Sequence, residues 1–130
     1  MGVSIGEASA QSGLPAKTIR YYEDIGLVRP LRSANGYRAF DGKNLQALEF
    51  LARARSLGFS IEECRELLAF QADAERASAD VKRVAVEHLA RIDAKIAELA
   101  AMRRSLADLA ERCAGNETPD CAILRTLAGA

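Results

Sequence analysis

Between Ser78 and Arg112 the chain holds neither a glycine nor a proline. At a rise of about 1.5 Å per residue, a helix over that run spans roughly 50 Å. Its apolar residues recur every three or four positions, at Val81, Ala85, Leu89, Ile92, Ile96, Leu99, Met102, Leu106 and Leu109. Ile92, Leu99 and Leu106 lie one heptad apart, as do Leu89 and Ile96, whose next member is Arg103. So narrow a stripe on so long a helix wants a partner helix. No second long helix is on offer elsewhere in the sequence. Two copies pairing into a coiled coil is the favoured solution, with folding back onto the N-terminal half as the other. His88 and Met102 lie on this helix and read as interface, surface or core residues before they read as soft ligands.

The run empties into Cys113-Ala-Gly-Asn-Glu-Thr-Pro-Asp-Cys121, which holds two of the three cysteines. Gly115 is a natural helix stop, since glycine accepts the left-handed backbone that closes a helix end. Thr118-Pro119-Asp120 reads as a fresh start, with a hydroxyl cap, proline at the first position and an acid in the first turn. That predicts a short helix over residues 119–127 with Cys121 in its first turn, where the helix dipole favours a thiolate. Two thiolates on a tight loop suit a soft ion of low coordination number. A disulfide, or two incidental small hydrophobes, are the other readings. Cys64 sits beside Leu67 and Leu68 in a helical pattern and reads as a small buried residue.

Residues 3–12 carry Val3, Ile5, Ala8 and Ala10 at helical spacing, with Ser4 and Glu7 in a capping-box pattern. Gly13-Leu14-Pro15 interrupts, and a second short helix carries Lys17, Thr18, Arg20, Tyr21 and Tyr22 before Gly26 ends it. Two short helices on a glycine-containing turn, the second rich in Arg, Lys and Tyr, outline a helix-turn-helix. Next come strand-like pieces at Leu27-Val28 and at residues 37–40, with Asn35-Gly36 as the turn of a hairpin. Arg29, Arg32, Arg38 and Tyr37 gather there, as phosphate contact from a wing requires. Residues 41–57 form a third helix, with Arg53 and Arg55 near its end and Gly58 after it. Ser60 caps a fourth, with Glu63 three positions on and Ile61, Cys64, Leu67 and Leu68 on its core side.

Whole-chain charge balances at 18 basic against 18 acidic residues, so it argues for no partner. Its distribution says more, because residues 1–57 hold eight basic side chains against five acidic ones. No stretch has the apolar length of a membrane span, and the N-terminus lacks a charged-then-apolar signal pattern. A cytoplasmic location is the expectation, with no membrane partner, and there a structural disulfide is disfavoured. That shifts weight at Cys113 and Cys121 toward metal binding or redox sensing. No Ser/His/Asp set or glycine-rich phosphate loop is present and the single histidine lacks an obvious partner, so an enzyme is not expected. The expected class is mainly α. Residues 1–70 form a winged helix-turn-helix, 71–77 a linker, 78–112 the dimerisation helix, and 113–130 the loop and a short C-terminal helix.

This order of parts resembles the MerR family of transcriptional regulators. The residues that carry the likeness are Ile19-Arg20-Tyr21-Tyr22-Glu23 with Gly26-Leu27, the wing Arg32-Ser33-x-Asn35-Gly36-Tyr37-Arg38, and Arg55-x-x-Gly58-Phe59-Ser60. Within the family the C-terminal loop is similar to that of the copper-responsive branch. There, two cysteines hold a monovalent coinage-metal ion in near-linear geometry. The resemblance implies Cys113 and Cys121 as ligands of Cu(I), with Ag(I) and Au(I) as mimics. Ser78 stands where divalent-metal members carry a further cysteine, which argues against Zn(II), Hg(II) and Pb(II), since Zn(II) normally wants four ligands. Ala114 replaces a proline often found in that branch.

The resemblance further implies a homodimer, paired through an antiparallel coiled coil, on double-stranded promoter DNA whose two promoter elements are spaced too far apart. Metal binding would favour a dimer geometry that bends and untwists the spacer, acting on RNA polymerase indirectly. Lys17, Arg20 and Tyr22 would serve from the recognition helix, and Arg32, Tyr37 and Arg38 from the wing. Arg55 would contact the backbone, and Arg20 is the best choice for base readout. Three other readings compete. They are a thiol redox sensor and a divalent-ion regulator of the same family, and a coiled-coil module or metallochaperone with no DNA function.

Overall fold

A computed structural model describes residues 2–129. Its helices are α1 (Ile5–Ser12), α2 (Ala16–Asp24), α3 (Gly42–Ser56), α4 (Ile61–Ala72), α5 (Ser78–Arg112) and α6 (Ala122–Leu127), with β1 (Leu31–Arg32) and β2 (Arg38–Ala39) between α2 and α3. The chain divides into two compact units, one up to Val84 and one from Ala85 onward.

In the first unit, α1, α3 and α4 start at side-chain caps, whereas α2 starts after Pro15 without one. The Ser4 hydroxyl accepts the Glu7 N–H at 3.2 Å, and the expected reciprocal bond, from the Ser4 N–H to the Glu7 carboxylate, is not made among the described residues. Ser60 and Glu63 close both halves of their box, at 3.1 and 2.8 Å. Asp41 and Asn44 form a second box, both bonds 2.9 Å, that starts α3. Val3 does not belong to α1. It forms an antiparallel bridge with Phe40, Val3 N–H to Phe40 C=O at 2.8 Å and the reverse at 2.9 Å.

The hairpin departs from expectation at Leu27-Val28, which are not strand. Their N–H groups donate to the Tyr22 carbonyl at 2.8 and 3.4 Å, closing the end of α2, and both side chains are buried. The wing is instead the antiparallel pair β1–β2, Leu31 opposite Ala39 and Arg32 opposite Arg38. Its turn is held by Gly36 N–H to Ser33 C=O (2.9 Å) and Ser33 N–H to Tyr37 C=O (2.8 Å). Gly36 takes φ 83°, the left-handed position that suits glycine in such turns. The core gathers Phe40, Ile19, Leu48, Leu51 and Cys64, all fully buried, with Tyr22 at its edge. Arg65 of α4 donates to the Ile25 carbonyl at 2.8 Å, tying α4 to the end of α2.

In the second unit, the stripe along α5 is open: Leu89, Ile96, Leu99, Met102 and Leu106 are each more than half exposed. No described helix is long and apolar enough to cross a membrane.

Candidate nucleic-acid interface and metal centre

The second helix of the helix-turn-helix is α2. Ile19 and Tyr22, three apart, share its inner face, while Lys17 and Arg20 are exposed and, among the described residues, have no ion-pair partner. Tyr22 therefore departs from the surface role given it by sequence. Only 3% of it is exposed, and burial raises its phenol pKa, with the neighbouring Arg55 guanidinium opposing. Tyr21, half exposed, presents the outward ring instead. The three-residue spacing of Ile19 and Tyr22 already carried that information.

On the wing, Tyr37 is 73% exposed. Arg32 and Arg38 are both engaged by one carboxylate, that of Glu23 near the end of α2. Arg32 Nη2 lies 3.2 Å from Oε2, and Arg38 Nε bonds Oε1. Arg32 Nη1 also donates to the Gly36 carbonyl at 3.0 Å, across the turn. Sequence reasoning missed Glu23 because its partners lie 9 and 15 residues away. Arg55 is exposed and donates to the Phe59 carbonyl at 2.6 Å, which fixes the α3–α4 turn.

The loop between α5 and α6 brings Cys113 Sγ and Cys121 Sγ to 3.5 Å, with both thiols half-buried and neither in a disulfide. The short helix begins later than expected. Thr118 does not cap it, because both its N–H (2.9 Å) and its hydroxyl (2.7 Å) donate to Asn116 Oδ1. That side-chain turn leaves Cys121 as the N-cap residue of α6, one position before the first helical residue. The thiol faces the first-turn N–H groups of α6, and its pKa is lowered. The Leu124 N–H is the largest cause, followed by the Cys113 thiol and opposed by slight burial. Asp120 pairs with Arg125 of α6 beside it. Among the described residues no three His, Cys, Asp or Glu side chains gather as a metal site. His88 is buried on α5, Met102 is exposed, and Cys64 is enclosed in the core with its thiol pKa raised by burial. Ser78 is the exposed first residue of α5.

Comparison with known families decides the class. The family described as "MerR HTH family regulatory protein" matches residues 3–71, and "MerR, DNA binding" matches residues 45–109. The chain belongs to the MerR family. Regulators of this family bind promoter DNA as dimers and act on RNA polymerase, and they are not enzymes. The HTH-type transcriptional regulator HmrR of Rhizobium leguminosarum bv. viciae is 57% identical over 96% of this chain and 97% of its own length. CueR of Salmonella typhimurium is 45% identical over 98% and 93%. Among solved structures, the regulator PbrR691 of Ralstonia metallidurans CH34, in complex with lead(II), superposes with a TM-score of 0.81 at 32% identity, covering 96% of this chain and 98% of that one.

Proposed function

We propose that this MerR-family regulator responds to Cu(I), with Ag(I) and Au(I) as mimics, and activates copper-tolerance promoters by distorting an over-long promoter spacer. The observation that carries the metal reading is the pair of thiols 3.5 Å apart, with no third His, Cys, Asp or Glu donor gathered beside them among the described residues. Two sulfurs suit a soft, low-coordinate ion and leave a four-ligand ion such as Zn(II) two donors short. Cys113 and Cys121 would hold the ion as thiolates, and what it supplies is a bond from each sulfur, linking the end of α5 to the start of α6. Cys121, with its lowered pKa, gives up its proton for this more readily than an ordinary thiol. Ser78, where a thiol would favour divalent ions, offers a harder hydroxyl oxygen.

The relatives CueR and HmrR support a metal-responsive regulator, and a MerR-family relative crystallised with lead(II) marks the divalent alternative. Lys17, Arg20, Tyr37 and the wing arginines form the proposed DNA face, with Arg55 set for a backbone contact and Tyr22 supporting α2 from within. The effector can shift the promoter geometry only by binding the activating conformation more tightly than the repressing one.

The deciding experiment is anaerobic titration of the reduced protein with Cu(I) and with Zn(II), each against a competing chelator. One tightly held Cu(I) per loop and weak Zn(II) binding is the expected result. Tight Zn(II) binding moves the reading to a divalent sensor. Binding of neither, with transcription following an oxidant, moves it to a redox sensor in which the same two sulfurs join.

A further inference from the structure

The wing and the recognition helix are not independent basic surfaces. Glu23, on the last turn of α2, accepts from Arg38 Nε on one oxygen and from Arg32 Nη2, at 3.2 Å, on the other. Glu23 and Arg38 are mostly buried, with side chains 17% and 23% exposed, so that contact is a fixed strut. Arg32 is half exposed, and its second nitrogen holds the Gly36 carbonyl at the wing turn. A single carboxylate thus holds both members of the Arg32–Arg38 strand pair, and through Arg32 it is linked to the wing turn.

This arrangement changes what the two arginines can do. An arginine whose fork is occupied by a carboxylate neutralises little phosphate charge, because the partner's negative charge travels with it. Any phosphate that recruits Arg32 or Arg38 must displace Glu23 or accept a compensated cation. Random duplex, which offers only phosphates, gains least from such a wing. A duplex whose groove fits both α2 and the held wing gains from the orientation that Glu23 enforces. Lys17 and Arg20, which have no ion-pair partner among the described residues, supply uncompensated charge from the same helix.

We propose that Glu23 is a positioning and specificity-determining residue of the DNA interface, holding Arg32 and Arg38 so that the wing discriminates against non-cognate DNA. This rests on the reading of α2 and the wing as the DNA face.

The test uses the full-length protein and two probes. One is a random-sequence duplex of roughly three helical turns, and the other a duplex of that length selected by the wild-type protein from a random pool. Affinity is measured against salt for wild type, Glu23→Gln and Asp24→Asn. Asp24 is the exposed neighbour on α2, and its change removes the same charge without freeing an arginine. For Glu23→Gln, random-duplex binding tightens several-fold. The logarithmic salt slope also steepens, by about 0.9 for each arginine released to a phosphate. The ratio of selected to random affinity falls. Asp24→Asn leaves the slope as in wild type. Arg32→Ala, at an exposed site that does not threaten the fold, costs more slope in the Glu23→Gln background than in wild type. Equal effects of Glu23→Gln and Asp24→Asn, or an Arg32→Ala effect independent of residue 23, would overturn the proposal. If wild type shows no salt-dependent binding to either duplex, it is the assignment of the DNA face that fails.

Discussion

Cys113 Sγ and Cys121 Sγ stand 3.5 Å apart, one just past the end of the longest helix and the other at the N-cap of the shortest. Nothing else in the described chain adds a third donor. Replacing either sulfur by a hydroxyl removes half of the proposed ligand set and leaves the α2–wing surface untouched. Cys113→Ser and Cys121→Ser are each expected to weaken Cu(I) affinity by more than about a hundredfold, beyond what loss of a supporting group costs. Affinity for promoter DNA stays at the wild-type level. Chelator competition and gel-shift titration on the same preparations check both halves. A parallel loss of DNA binding would contradict the separation.

The cysteines differ in proton affinity, and that difference has a sign. Burial, the leading cause, raises the Cys64 thiol, with Arg55 opposing. In the unfolded chain that thiol titrates near its ordinary value of about 8.5. Below that pH both states hold the proton and Cys64 adds no pH dependence. Above it, only the unfolded chain releases the proton, so folding stability falls until the folded thiol titrates as well. Melting temperature is therefore expected to decline as pH rises from about 8 to 10, and to decline less steeply in Cys64→Ala. Tyr22, also raised by burial, extends the decline from about pH 10. Cys121, lowered, is alkylated at a pH where Cys64 remains inert. Identical pH slopes for wild type and Cys64→Ala would show that the Cys64 thiol does not contribute.

Much of this architecture is legible in local chemistry. Ser60-x-x-Glu63 spells out a complete cap, and the apolar residues recurring every three or four positions from Val81 to Leu109 all fall within α5, Ser78–Arg112. Illegible parts depend on which partner wins a polar group. Thr118 has every property of a helix cap, yet Asn116 takes its N–H and hydroxyl first, and α6 starts later. Leu27 and Val28 have strand-like side chains, but the Tyr22 carbonyl needs their N–H groups to close α2. Glu23 looks like an ordinary helix-end acid until the hairpin folds back and delivers Arg32 and Arg38 to it. In the site, spacing brings the two thiols within reach of one loop, while the burial of Tyr22 follows from a periodicity that its aromatic neighbour conceals.

The exposed stripe of α5 gives a direct assay of assembly. Leu99 is 58% exposed, and with Ile92 and Leu106 it forms the heptad row. In a paired coil it sits in the seam, where a carboxylate would be buried without compensation. Leu99→Asp is expected to give a monomer at concentrations where wild type sediments as a dimer. Helix content falls by little, because Leu99 is more than half exposed within its own chain. On DNA the monomer keeps one set of phosphate contacts, so the salt slope drops to about half. Sedimentation equilibrium and salt-dependent gel shifts read the two effects, and an intact dimer would place the interface elsewhere.

Ser78 opens α5 with a hydroxyl, a weak ligand for soft ions. Ser78→Cys adds one thiolate to the donor inventory of each chain, enough to favour ions that want three or more ligands. The transcriptional response is expected to extend to Zn(II), Hg(II) or Pb(II) while Cu(I) still acts. A reporter assay across these ions measures it, and an unchanged ion profile would remove residue 78 from the selectivity apparatus.

Arg20 carries the sharpest prediction about sequence readout. It lies on the exposed face of α2, between Ile19 and Tyr21, with no carboxylate holding it among the described residues. A guanidinium so placed can meet a guanine edge through two hydrogen bonds, a contact worth about 1–3 kcal/mol of discrimination between bases. Lys17, one turn earlier, ends in a single ammonium better suited to phosphate. Arg20→Ala is therefore expected to relax base preference at one position of each half-site, and Lys17→Ala to weaken binding evenly across sequences. Selection of each variant against a randomised duplex pool separates the two outcomes. If Arg20→Ala loses affinity evenly while base preference is kept, Arg20 is a phosphate contact, and readout must come from elsewhere on α2 or from the deformability of the spacer.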